Sequence, residues 1–215
     1  MKNFAQYLLI LLSITLISYI GYEKYELYQA KNYNLEAFPK AIRVEVPANF
    51  EFAGEKVPTY ETEVRERFDR ELYVNIYWQS QTGLIIKRAN RWLPQIEKIL
   101  KEENVPDDFK YIAIIESDLR NVISPAGATG FWQFMEETGK EFGLKINEEV
   151  DERYDPIKST YAACKYFKKA YKKFGNWTLA AASYNRGMGG INYALRKQKA
   201  KSFYDLRLNT QTARY

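Results

Sequence analysis

Between Asn3 and Tyr22 the chain carries no charged residue, and the run from Tyr7 to Ile20 is almost wholly apolar. With its flanks this run is long enough, as a helix, to cross about 30 Å of hydrocarbon. It predicts a membrane segment over residues 1–28. The run ends in Tyr19, Ile20, Gly21 and Tyr22 rather than in the small residues of a cleavage site, which favours an uncleaved anchor over an exported chain whose signal is removed. Residues 29–58 hold Pro39, Pro47 and Pro58 in mixed polarity and read as a tether. Only Arg43 to Val46 alternates there, like a short edge strand.

From Glu61 onward the apolar positions recur at helical spacing. Helices are predicted over 61–81 and 85–103, with Pro94 marking a kink or a late start. Pro106, Asp107 and Asp108 open a further helix that runs to Glu116. Asp155 and Pro156 cap another, which Gly175 stops. With no comparable strand pattern downstream, the fold class is all-α: leading helices over 59–89, then a main helical domain over 90–215.

The helix after Pro156 has two faces. Ala163, Tyr166, Phe167, Ala170, Tyr171 and Phe174 form one stripe, and Lys165, Lys168, Lys169, Lys172 and Lys173 repeat its spacing two positions later. Two positions are about 200° of turn, so the lysines lie nearly opposite the apolar stripe. They form either a solvated face or a surface attracted to an anionic wall or membrane.

Charge sharpens this. The net +5 hides an asymmetry: from Pro156 to Tyr215 there are 13 Lys/Arg against one acid, Asp205, which leaves the first 155 residues at −7. A cationic lobe of this kind suits an anionic polymer or surface. The 215 residues include no histidine and one cysteine, Cys164. Imidazole-dependent triads, thiolate clusters and intrachain disulfides are therefore excluded. Acid–base chemistry must run on carboxylates, lysines or tyrosines.

One carboxylate stands out. Phe109, Ile112, Ala113 and Glu116 follow helical spacing i, i+3, i+4, i+7 in a segment apolar on almost every side. Glu116 then sits at the end of a buried helix, where lost hydration raises a carboxyl pKa and makes a proton donor. The other reading is that Glu116 closes the helix and faces solvent. A small-residue loop follows from Ser124 through Gly127 and Gly130 to Phe131, Trp132 and Gln133, offering close backbone approach, a stacking face and an amide. Farther on, Ala180, Ala181 and Ala182 permit tight helix packing before Ser183, Tyr184, Asn185 and Arg186.

In this order, Glu116-Ser117, Gly130 to Gln133, Ser183 to Asn185 and a final Tyr215, the motifs resemble those of lytic transglycosylases with an SLT-like catalytic domain, in the goose-lysozyme-like superfamily, nearest to the membrane-bound D type. The resemblance covers roughly residues 90–215, and the stretch from Asp151 to Pro156 with Ser159 and Thr160 resembles the linker of that family. Trp132 stands where many members have Met, and Ser183 where Ala is common. Relatives usually continue the helix past the position of Tyr215, so the sequence is expected to be part of a longer chain.

The resemblance implies a lysozyme-like helical domain in which Glu116 is the sole catalytic acid and base, with Ser117 its partner. Ser124 would lie near the sugar's N-acetyl group, and Gln133 would bind the glycan beside Trp132. Tyr184 and Asn185 would line the cleft, and Tyr215 would orient the glutamate. The implied reaction cleaves peptidoglycan between MurNAc and GlcNAc with formation of a 1,6-anhydro ring, and needs neither a second carboxylate nor a metal or cofactor. A lysozyme-type hydrolase and a non-catalytic wall-binding scaffold remain alternatives. Peptidoglycan lies outside the cytoplasmic membrane, which puts the domain in the periplasm or at the cell surface. Glycan strands and, through the N-terminal helix, the membrane are the implied partners, and nucleic acid is not.

Overall fold

The computed structural model describes residues 18–25, 46–47, 49–209 and 212. It divides into a unit over Met1–Arg43 and a larger one over Val44–Tyr215. In the first, residues 18–25 are helical and exposed. Most of the predicted membrane segment, residues 1–17 and 26–28, lies outside the described residues. Among the described residues no helix is long and apolar enough to cross a membrane.

The larger unit opens on a hairpin that the sequence reading assigns to the tether. Strand β1 (Glu51–Phe52) pairs antiparallel with β2 (Glu55–Lys56), Glu51 opposite Lys56. Ala53 and Gly54 make the turn at φ 54° and 75°, the two positive values that a tight two-residue turn requires. Two-residue strands leave no periodic signal, so this departure from an all-α chain was invisible to hydrophobic patterning. The hairpin is docked: Ala53 N–H donates to Asp108 Oδ2 at 2.6 Å, and the Phe52 and Phe109 rings lie 5.6 Å apart.

Helices follow: α1 (Thr62–Tyr77), α2 (Gln79–Glu102), α3 (Lys110–Ser117), α4 (Glu136–Glu141), α5 (Pro156–Phe174) and α6 (Trp177–Gln198). The break between the first two falls at Trp78, with ψ 51°, and not after Gln81 as predicted. The Thr82 hydroxyl satisfies the break by meeting the carbonyls of Asn75 and Trp78 at 2.9 and 3.0 Å. Pro94 neither starts nor ends α2. Pro94 and Asn90 are both exposed, so water can take the carbonyl that the missing N–H leaves behind.

The core is aromatic. Phe109, Trp132 and Phe167 are at 0% exposure, with Phe109 4.5 Å and Trp132 5.8 Å from the Phe167 ring. Helix α5 runs as predicted: Asp155 accepts from Ile157 and Lys158 N–H, Pro156 takes the first turn, and Gly175 ends it at φ 67°. Ala163, Tyr166, Phe167 and Ala170 are buried and the five lysines exposed, whereas Tyr171 at the stripe's edge is 38% exposed. The chain then turns back into α6, whose first N–H groups receive a carboxylate from the hairpin: Glu55 accepts from Trp177 N–H at 2.6 Å and from Thr178 N–H and Oγ1 at 3.0 and 2.7 Å. A negative charge at a helix start is favourable for both the unpaired N–H groups and the dipole.

Candidate active site

Eight residues make α3 too short to hold itself together, so its end must be tied down. Phe109, Ile112 and Ala113 anchor one face in the core. Glu116 follows on the same stripe, half-buried, one residue before the end. Ser117 donates to the carbonyls of Ala113 at 3.1 Å and Phe131 at 2.8 Å. The second bond joins the end of the helix to the loop that carries Gln133. The turn after it is left-handed at Asp118, φ 53°, and Leu119, φ 56°. Two residues of α2 hold that turn: Gln81 Nε2 donates to Asp118 Oδ2 at 2.5 Å, and Arg88 Nε to Asp118 O at 2.6 Å.

The loop of residues 121–135 is braced by short bridges, Ile123 with Thr129 and Thr129 with Phe134. Gly130, at φ 82°, is required: a Cβ there would stand 1.9 Å from the Arg153 carbonyl oxygen. Arg153 itself clamps the loop. Its guanidinium is fixed by Asp151 at 2.7 Å and donates to the carbonyls of Gly127 and Phe134 at 3.1 and 3.2 Å. This pairing holds the Asp151 carboxyl below its ordinary range.

Across from the loop, Tyr184 on α6 donates to Trp132 O at 2.7 Å. Burial pushes its phenol well above the ordinary value, and the negative charge of Glu116 pushes it further. A phenol raised in this way stays neutral and remains a hydrogen-bond donor. Asn185 Oδ1 accepts from Thr212 Oγ1 at 2.8 Å.

A family model for the transglycosylase SLT domain matches residues 94–206, more than half of the chain. The chain belongs to the transglycosylase SLT domain family. The membrane-bound lytic murein transglycosylase D of two Escherichia coli strains is 34% identical over 134 residues, covering 60% of this chain and 30% of those proteins. A protein of Alteromonas sp. named for tributyltin chloride resistance is 32% identical over 129 residues, covering 59% of this chain and 62% of its own. The chain thus spans under a third of the length of the E. coli relatives it matches.

Within this SLT domain Ser117 ties the Glu116 end of α3 to the loop that carries Gln133, and Tyr184 reaches the same loop from α6. Trp132 is a correction. Its ring is 0% exposed and its indole N–H donates to Thr160 Oγ1 at 2.9 Å, so it offers no face to a sugar. Ser117 is buried with its hydroxyl spent on two carbonyls, a strut for Glu116 rather than a group held toward substrate. Ser124 Oγ accepts from Ala128 N–H at 3.0 Å and shapes the loop. Gln133, at φ 47°, commits its amide nitrogen to Val122 O and Gly130 O, at 3.0 and 2.8 Å. Tyr215 lies outside the described residues. Sequence reasoning missed Arg153, Gln81, Arg88 and Thr212, since nothing in residue type or spacing marks a partner supplied from a distant element. The stretch from Asp151 to Pro156 marks the neighbourhood of Arg153 but not its clamping role.

Proposed function

We propose that this SLT domain is a peptidoglycan lytic transglycosylase that cleaves the β-1,4 bond between MurNAc and GlcNAc. Glu116 in its acid form protonates the bridging oxygen as the bond from the MurNAc anomeric carbon breaks, assisted by the 2-acetamido oxygen. The resulting carboxylate takes the proton of the MurNAc C6 hydroxyl, whose oxygen closes on the anomeric carbon to give the 1,6-anhydro ring. The proton count balances and no water is consumed. A second carboxylate, which paired-acid glycosidases need, has no role: the nearest in sequence, Asp118, is engaged by Gln81 and Arg120.

The observation that supports this reading is the half-buried Glu116 at the end of α3, tied through Ser117 to the loop that carries Gln133, in a chain of the SLT family. In this proposal Asn185, Gln133 through its amide oxygen and Ser124 through its hydroxyl proton bind the sugars, Tyr184 lines the cleft, and Tyr215 orients the glutamate. The proposal also keeps the N-terminal apolar run as a membrane anchor with the domain facing the envelope, where peptidoglycan lies. Mass analysis of purified sacculi digested with the protein tests it: the products are expected one water lighter than hydrolysed ones. Glu116→Gln should lower the rate at least about 100-fold while glycan binding persists. Products of full hydrolysed mass would make the enzyme a lysozyme-type hydrolase, and intact sacculi would end the enzymatic reading.

A further inference from the structure

Helix α6 does not run straight. Gly187, at φ 76° and ψ 147°, interrupts it two residues after Asn185, in a region of backbone space that is essentially glycine's alone. Beside this interruption opens a recess of about 490 Å³, lined by Thr138 and Glu141 of α4, by Lys169, Lys172 and Lys173 of α5, and by Met188. Thr138 and Met188, which line it, follow Gln133 and Asn185 closely along the chain. Aromatic packing runs beneath it toward Tyr184. The rings of Phe142, Tyr166 and Tyr184 follow one another edge to face at 5.3 and 5.0 Å.

The recess is cationic. Lys169, Lys172 and Lys173 share a helix face by their i, i+3, i+4 spacing. Lys169 pairs with Glu141 at 2.5 Å and lies over the Phe142 ring, and Lys173 donates to Met188 O at 3.4 Å. Among the described residues Lys172 has no ion pair. Lysines in a last turn also complement the helix dipole, which accounts for their charge but not for their convergence on a concavity ending at a glycine kink. A carboxylate suits the place, because it accepts from several ammonium groups at once, and half-buried Met188 offers apolar surface beside it.

We infer that this recess binds a carboxylate of the peptide carried by the glycan strand, an inference that rests on the glycan-cleaving reading above. The recess recognises the substrate's substituent and takes no part in breaking the bond. A glycan stripped of peptide exposes a lactyl carboxylate on the sugar itself, so the test must separate the two sources of charge.

The test compares the wild-type chain with the double variant Lys172→Gln, Lys173→Gln on three substrates: strands bearing peptides, strands whose peptide carboxylates are converted to methyl amides, and strands stripped by an amidase. On peptide-bearing strands kcat/KM should fall roughly fivefold to tenfold, through KM. On the amidated and stripped strands the change should stay below about twofold. An equal fall on stripped strands, or no fall on any, overturns the inference. So does an equal fall in Lys165→Gln, Lys168→Gln, which removes the same charge from the same helix outside the recess. Should the wild type cleave none of the substrates, the cleavage reading fails, and co-sedimentation of both proteins with the same strands still decides the recess by the same pattern of binding.

Discussion

Trp132 and Glu116 show how much a single residue's role depends on its surroundings. Each follows a small-residue or apolar motif that leaves its direction open, and the two end on opposite sides of the surface. The indole is enclosed by Phe167 and Tyr184 and donates to Thr160, whereas the carboxylate stays half exposed. Trp132→Phe removes a buried hydrogen bond and should lower stability by about 1–3 kcal/mol in denaturant unfolding, with glycan affinity unchanged once folded. Affinity lost at full stability would instead restore the ring as a sugar platform. Arg153 makes the complementary point: surface-type chemistry in the sequence, yet only 9% exposed and bonded to two loop carbonyls. No pattern of neighbours along the chain announces that role, because its partners lie 19 and 26 residues away.

Elements were legible where their signals are local. Asp155, Pro156 and Gly175 bound α5 as the chain's own capping chemistry requires, since each acts on backbone within one turn. The hairpin was not legible, yet it carries weight: Glu55 caps α6 from more than 120 residues away. Glu55→Ala should cost about 1–2 kcal/mol, read as a lower denaturation midpoint, and Glu55→Asp should recover little because the shorter chain falls short of Trp177. An unchanged midpoint would mean that the hairpin merely rests on the helix. The loop of residues 121–135 is held more severely. Gly130→Ala sets a Cβ against the Arg153 carbonyl and strains a positive φ, so a loss of about 2–4 kcal/mol together with most activity is expected. Wild-type stability in that variant would show that the two segments separate freely.

At the scale of the molecule, the aromatic core stores its own pH dependence. Burial raises the phenols of Tyr166, Tyr184 and Tyr204 and pushes the Cys164 thiol up to about 12. In the unfolded chain these groups ionise near their ordinary values, about 8.5 for the thiol and about 10 for the phenols. Their contribution is therefore complete below those values and is lost as pH rises toward the folded ones, where the unfolded state binds fewer protons than the native state. Melting followed by circular dichroism should show Tm falling progressively above about pH 9. A Tm level to pH 11 would mean that the core admits water.

The order of motifs, the helical period and the lack of histidine by themselves led to a mostly helical frame and to the expectation of carboxylate chemistry at Glu116. Those properties depend on residue type and on neighbours within a turn or two, which a linear text records. Which of the expected side chains are buried was decided only when α2, the loop, α5 and α6 closed on one another. Burial and hydrogen bonding between segments far apart in the chain are what turned Trp132 inward, made Ser117 a strut and opened a lysine-lined recess beside Gly187.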